Sequence, residues 1–312
     1  MSPLATIPPD VLVLGGGGLL GEAWMNAVLA GLDEPGGFDV CACTGYIGTS
    51  AGSIVAAALV AGVRPRDRLG RLPVQPAGEE LNGHDQPSPI HRALEAAADL
   101  GTAAAAPLAS LALSSTAGGG AALRRAVLSR VRPGRRSLAE LGVMVERAGV
   151  RWDGRLRIAT VEIESGRRVV MGAPGSPELT VPEAVQASCA IPGMFQPMRV
   201  GARSYLDGGV WSPTNMDAAD VSPGDRVLCL NPTGSMRPTL RAPVGALGLL
   251  SRSRAAVEAL SLESRGAIVS TVNPDEASAR AMGTNLMHPA HRDQVIAAGL
   301  HQGRRLARAR PG

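Results

Sequence analysis

The sequence contains no lysine, and all 31 of its basic residues are arginine. A phosphate-loop nucleotide site needs a lysine to reach the phosphates, and Schiff-base catalysis needs a lysine amine, so both chemistries are excluded. Aromatic residues make up only 2% of the chain, too few for the stacking platforms of single-stranded nucleic-acid binders. The net charge of +4 is small, and the arginines are scattered rather than gathered in a stripe. Neither nucleic acid nor a nucleotide is the implied partner. The four cysteines, Cys41, Cys43, Cys189 and Cys229, show no Cys-x-x-Cys spacing and no disulfide-scaffold density. They are expected to be buried reduced thiols. The five histidines, His84, His91, His288, His291 and His301, do not cluster with cysteines or carboxylates, so they read as surface residues and no metal or other cofactor is expected. Residues 1–10 lack a basic segment followed by an apolar one, which sets the expectation of a cytoplasmic protein.

What is present is a series of short apolar runs punctuated by glycine. Val11 to Leu14 is a continuous apolar run ending in Gly15–Gly18, the pattern of a buried parallel strand, and Leu19 to Leu32 takes helical spacing after it. A second strand, about Cys43 to Ile47, runs into Gly48-Thr49-Ser50-Ala51-Gly52 and a helix over Ile54 to Ala61. The strand, turn, helix unit therefore occurs twice. Strands are predicted further on at Leu156–Glu164, Arg168–Met171, near Met198, Ser204–Leu206, Val227–Leu230 and Ala267–Val272. Helices are predicted from a start at Thr180-Val181-Pro182-Glu183 through Ala190, around Ala255–Ser264 and over the last 20 residues. Residues 64–90 are rich in proline, glycine and charge, and 91–130 are dominated by alanine. The uncharged stretch 101–123 has the length of a membrane span, but Pro107 and Gly118–Gly120 make it weakly hydrophobic, so it reads as part of a helical cap. The expectation is one α/β domain over 1–312, with 64–150 a cap or lid insertion and 236–312 a C-terminal α/β extension packed on the same domain.

The Gly-x-Ser-x-Gly pattern at 48–52 has a mechanical reason. A strand that turns abruptly into a helix strains the serine between them, and the residues two before and two after it must be small. Ser50 then sits at a helix N-terminus, where free amides and the helix dipole favour developing negative charge. Gly16-Gly17-Gly18-Leu19-Leu20-Gly21 fits two functions. As Gly-x-Gly-x-x-Gly it is a dinucleotide-binding fingerprint, with Asp33 or Asp39 as the acidic residue required downstream, though neither ends a strand. As a glycine nest beside a nucleophile it is an oxyanion hole. A general base is available in Asp207, which follows a strand and precedes Gly208-Gly209. The order Ser50, Asp207, then His288 or His291 also matches a triad, but the serine comes too early for the strands that precede it in α/β-hydrolases.

Together the motifs resemble those of patatin-like phospholipases: Gly16 to Gly21, then Gly48 to Gly52, then Asp207-Gly208-Gly209. Ala187-Ser188-Cys189-Ala190-Ile191-Pro192-Gly193, with Phe195 and Pro197, is similar to the segment leading into the family's aspartate. The resemblance implies a three-layer α/β fold with a central, mostly parallel sheet flanked by helices. It implies a Ser50/Asp207 dyad without histidine, an oxyanion hole from Gly16, Gly17 and Gly18, and Gly21, Gly48, Gly52, Gly208 and Gly209 as motif glycines. The implied activity is hydrolysis of lipid acyl esters, phospholipid or neutral, with the lipid met in the cytoplasm or at a membrane surface. Leu20 stands where family members often carry arginine, which makes the acyl-ester part of the expectation firmer than the phospholipid part. The competing readings are a catalytically silent lipid-binding or scaffold protein on the same fold and a dinucleotide-dependent oxidoreductase.

Overall fold

The computed structural model describes residues 8–34, 37–70, 120–236 and 244–308. Its frame is an eight-stranded mixed sheet: β1 (Val11–Leu14), β2 (Gly45–Thr49), β3 (Leu156–Glu162), β4 (Arg168–Met171), β5 (Met198–Val200), β6 (Arg203–Asp207), β7 (Arg226–Leu230) and β8 (Ile268–Val272). The strand order is β5-β6-β3-β2-β1-β7-β8, with β4 paired to β3 off this path. Strands β3, β2, β1, β7 and β8 run parallel, whereas β4, β5 and β6 are antiparallel to their partners.

Strand β1 is buried along its whole length, as a central parallel strand covered on both faces must be. Its alternate side chains go to opposite layers. Leu12 and Leu14 join the larger core under α1 (Gly18–Leu32), α2 (Ala51–Val60) and α5 (Val181–Cys189), while Val11 and Val13 join a second core. That second core lies beneath α6 (Val244–Glu263), which contributes Ala255 and Leu262. The sheet is thus the middle of three layers.

Helix α1 is buried from Leu19 to Leu32, which explains an apolar run with little amphipathic contrast. Its cover is α8 (Arg292–Arg308), which approaches so closely that a Cβ at Gly303 would strike the Val28 backbone and one at Gly31 the Leu300 carbonyl. Trp24 Nε1 donates to Gln302 Oε1 at 3.0 Å, fixing the register of the two helices. With β8 extending the sheet and α7 (Glu276–Met282) packed on α8, residues 244–308 build on the same sheet and core as the N-terminal half.

Of the segment read as a cap, 71–119 lies outside the described residues, including most of the uncharged stretch. Its end is described: α3 (Gly120–Leu128) and α4 (Ala139–Arg147), the latter contributing Leu141 and Val145 to the larger core. Among the described residues, no helix is long and apolar enough to cross a membrane.

Candidate active site

Strand β2 enters the site two residues later than the apolar pattern suggests, because its parallel register with β1 starts at Val11 opposite Gly45. It ends at Thr49, whose partner on β3 is Ala159. Strand β6 runs the other way along β3 and ends at Asp207, whose partner is Thr160. Because β4 occupies Ile158 to Val161 on the far edge of β3, β2 and β6 share the near edge and point at each other end to end. The residue after Thr49 and the last residue of β6 are therefore brought together by adjacent positions on one strand.

They meet. Ser50 Oγ donates to Asp207 Oδ2 at 2.8 Å, and the other carboxylate oxygen accepts the Gly209 N–H at 2.7 Å. Both residues are buried, Ser50 at 9% and Asp207 at 2% exposure, so the pair is screened from bulk water. Burial is the chief reason the Asp207 carboxyl is pushed up from 3.8 to about 7, against the opposing pull of the Gly209 amide and the Ser50 hydroxyl. Among the described residues no cation pairs with it.

Ser50 sits at φ 51°, ψ −123° as the residue before α2, a left-handed backbone that a side chain rarely adopts and that costs on the order of 1–3 kcal/mol. Its own backbone is held on both sides. Ser188 Oγ accepts the Ser50 N–H at 2.9 Å while donating to the Ala159 carbonyl at 2.7 Å, and the Ser50 carbonyl accepts both Ser53 N–H (2.8 Å) and Ser53 Oγ (2.6 Å). Ser188 belongs to the segment that resembles the family's approach to the aspartate, and no local pattern marks it for this role. Ser188→Ala would leave the buried Ser50 N–H unpaired, so unfolding by urea should show a loss of about 1–3 kcal/mol; an unchanged midpoint would refute the bridge.

The motif glycines have steric reasons. A Cβ at Gly48 would meet Ser53 Cα, one at Gly52 the Leu14 carbonyl, and one at Gly208 the Ala159 carbonyl. Helix α2 thus crosses directly over the ends of β1 and β2, and the turn after Asp207 lies flat on β3. Gly21 gives way to Pro232, as does Gly17.

The glycine loop runs alongside: a Cβ at Gly16 would lie 3.4 Å from Ser50 Cβ. One of its expected donors is already committed, since the Gly16 N–H donates to the Pro213 carbonyl at 2.8 Å. The amides of Gly17 and Gly18, at the start of α1, carry no such bond among the described residues. Gly18 takes φ +60°, which turns the chain into the helix, and it packs against Met287 and the Leu286 carbonyl. Leu286 O also accepts the Leu20 N–H at 2.9 Å, so the C-terminal segment walls the loop, a contact nothing in the sequence pattern announced. Leu20 itself is fully buried.

The remaining candidates fall away from the site. Asp39 lies in a turn before β2, bonded to the Cys41 N–H and Arg64, not at a strand end. His288 and His291 stack edge to face on the exposed surface, and His84 and His91 lie outside the described residues. Cys43, Cys189 and Cys229 are buried and Cys41 is partly so, all four as free thiols. Burial pushes the Cys43 thiol up to about 12 and raises Cys189, which also faces the Asp207 charge. No group of three or more His, Cys, Asp or Glu among the described residues could hold a metal ion.

A family model described as patatin-like phospholipase matches residues 12–220, from β1 through the turn after Asp207. The chain belongs to the patatin-like phospholipase family. Its α/β sheet, mixed but mostly parallel and flanked by helices, is the patatin fold. No curated protein matches the sequence. Among solved structures, VipD from Legionella pneumophila is similar at 16% identity with a TM-score of 0.48, over 97% of this chain and 67% of that one. The type III effector protein ExoU is similar at 16% identity with a TM-score of 0.39, over 97% of this chain and 53% of that one. Membership of this family places the patatin-like chain, at family level, among lipid acyl hydrolases.

Proposed function

We propose that this patatin-like chain hydrolyses carboxylic esters of lipids, phospholipid or neutral, with Ser50 as nucleophile and Asp207 as general base, without histidine. The observation that carries the reading is the 2.8 Å hydrogen bond from Ser50 Oγ to a buried carboxylate whose pKa lies at about 7. A carboxylate near 4 would be too weak a base for a serine hydroxyl, whereas one near 7 suits both halves of the cycle. Asp207 takes the Ser50 proton as Oγ attacks the ester carbonyl. The Gly17 and Gly18 amides hold the tetrahedral oxyanion, and Asp207 returns the proton to the leaving alcohol. A water, deprotonated in turn by Asp207, then attacks acyl-Ser50, and as the acyl–Oγ bond breaks and the fatty acid leaves, Asp207 returns the proton to Ser50 Oγ. The lipid is met at a membrane or micelle surface from the cytoplasmic side.

The test is a panel of p-nitrophenyl esters of increasing chain length beside phospholipid and neutral glyceride, with a fluorophosphonate probe. Turnover of long-chain esters and a single phosphonyl adduct on the peptide carrying Ser50 are the expected results. An adduct on another serine would remove Ser50 as the nucleophile, and no adduct and no turnover in a chain that still binds vesicles would end the hydrolase reading in favour of the silent one.

A further inference from the structure

The turn between β6 and β7 contains a second residue with a left-handed backbone, Asn215 at φ 50°. It is fully buried, and its side chain reaches both halves of the dyad's scaffold. Nδ2 lies 3.1 Å from Thr49 Oγ1, on the residue before the nucleophile, and 3.2 Å from the carbonyl of Gly208, on the residue after the base. It also donates to its own turn at Ser212 O, 2.7 Å away. The amide orientation follows from its other end, where Oδ1 faces the Arg168 guanidinium at 3.4 Å. The three acceptors share the two Nδ2 hydrogens.

The turn that carries this amide is fixed from outside. Ser212 Oγ accepts the N–H groups of Thr214 and Asn215, and Glu258 of α6 accepts from Thr214 Oγ1 (2.6 Å) and the Met216 N–H (2.9 Å). Arg168 holds Asp217 as well. Asn215 is therefore a rigidly mounted tie between the two strand ends that the fold leaves unlinked by any backbone ladder, since β2 and β6 meet end to end rather than side by side.

We propose that Asn215 is a positioning residue that sets the Ser50–Asp207 separation through Thr49 and the Gly208 carbonyl while touching no substrate. The inference rests on the dyad reading above. Its consequence is kinetic: a reacting pair displaced by about 1 Å loses on the order of 100-fold in rate without losing affinity for substrate.

Asn215→Gly keeps the left-handed backbone and removes the amide, and Asn215→Asp keeps the shape and removes the donor. In the full chain, both are expected to lower kcat for a p-nitrophenyl ester about 100-fold, with KM within threefold of wild type. Inactivation by the fluorophosphonate should slow in parallel. Thr49→Val, which leaves residue 215 intact, should lower kcat as well, and the double variant with Asn215→Gly should fall no further than the worse single one. Rates are normalised to the folded fraction from near-UV circular dichroism, so loss of folding alone does not count. A folded Asn215→Gly with kcat within threefold of wild type overturns the proposal while wild-type turnover upholds the dyad; so does additivity in the cycle. A wild type that neither hydrolyses esters nor takes the probe overturns both.

Discussion

Asp207→Asn is expected to yield a chain that is inert toward esters yet harder to unfold at pH 8 than the wild type. Activity falls because an amide cannot take the Ser50 proton, at a cost of about 10⁴-fold in kcat for a base bonded directly to its nucleophile. Stability moves the other way for a reason visible in the site. The carboxyl, 2% exposed, titrates at about 7 in the folded chain against 3.8 as its ordinary value. The folded state thus binds more protons than the unfolded one between those two values. Its contribution to stability is greatest below about pH 4, falls as pH rises towards 7, and the full penalty persists above that. The displacement of about three units corresponds to about 4 kcal/mol at most. Asparagine carries no such penalty, and its oxygen can keep the Gly209 N–H. Thermal unfolding at pH 5 and pH 8 checks this: the variant's advantage should grow with pH. In wild type, kcat/KM should rise with pH about a midpoint near 7 and level off above 8, since the base must be ionised. Ser50→Ala should be equally inert. A flat pH profile between 5 and 9, or more than a tenth of wild-type turnover in Asp207→Asn, would remove Asp207 from the role of base.

How much of this was legible in the sequence divides along physical lines. The two strand, turn, helix units were legible because short buried parallel strands leave continuous apolar runs, and because close crossings leave glycines where any Cβ would collide. Helix α5 was legible from its start: Thr180 caps it, with Glu183 reaching back and Pro182 in the first turn. The resemblance then placed Ser50 and Asp207 in one site. What could not be read was how they face each other, because the end-to-end meeting of β2 and β6 depends on β3 lending one edge to both, and no local pattern encodes the division of an edge. Ser188 and Asn215 were invisible for a related reason. Ser188 reads as one more small residue of a helix and Asn215 as a turn former near Pro213, and only the folded chain shows their side chains spent on the nucleophile's surroundings. The same holds for Gly16, which by pattern is one donor of three but whose amide is taken by Pro213. Helix α6 was legible only in its second half. Its start at Val244 follows Pro243 with no capping side chain in the sequence to announce it.

The steric reading of the elbow is the part most exposed to a single substitution. Gly52→Ala should cost the fold about 3 kcal/mol or more, roughly 5 °C in Tm for a chain of this size, and most of the activity with it. The added Cβ would meet Leu14 and Gly15 backbone carbonyls, and β1 cannot yield because it is hydrogen-bonded on both edges, to β2 and to β7. The strain must therefore be relieved by lifting the start of α2, and Ser50, as the residue before that helix, moves with it. Gly62 supplies the comparison. It lies just beyond the other end of α2 at φ +77° with nothing within 4 Å of its Cβ position, so Gly62→Ala meets only backbone strain, about 1 kcal/mol, and should keep wild-type kcat. Calorimetry and ester turnover on the two variants separate the effects. Equal losses would mean that the start of α2 absorbs the methyl group without strain, whereas a large loss at 52 and a small one at 62 means that α2 is seated on β1 with no room for it.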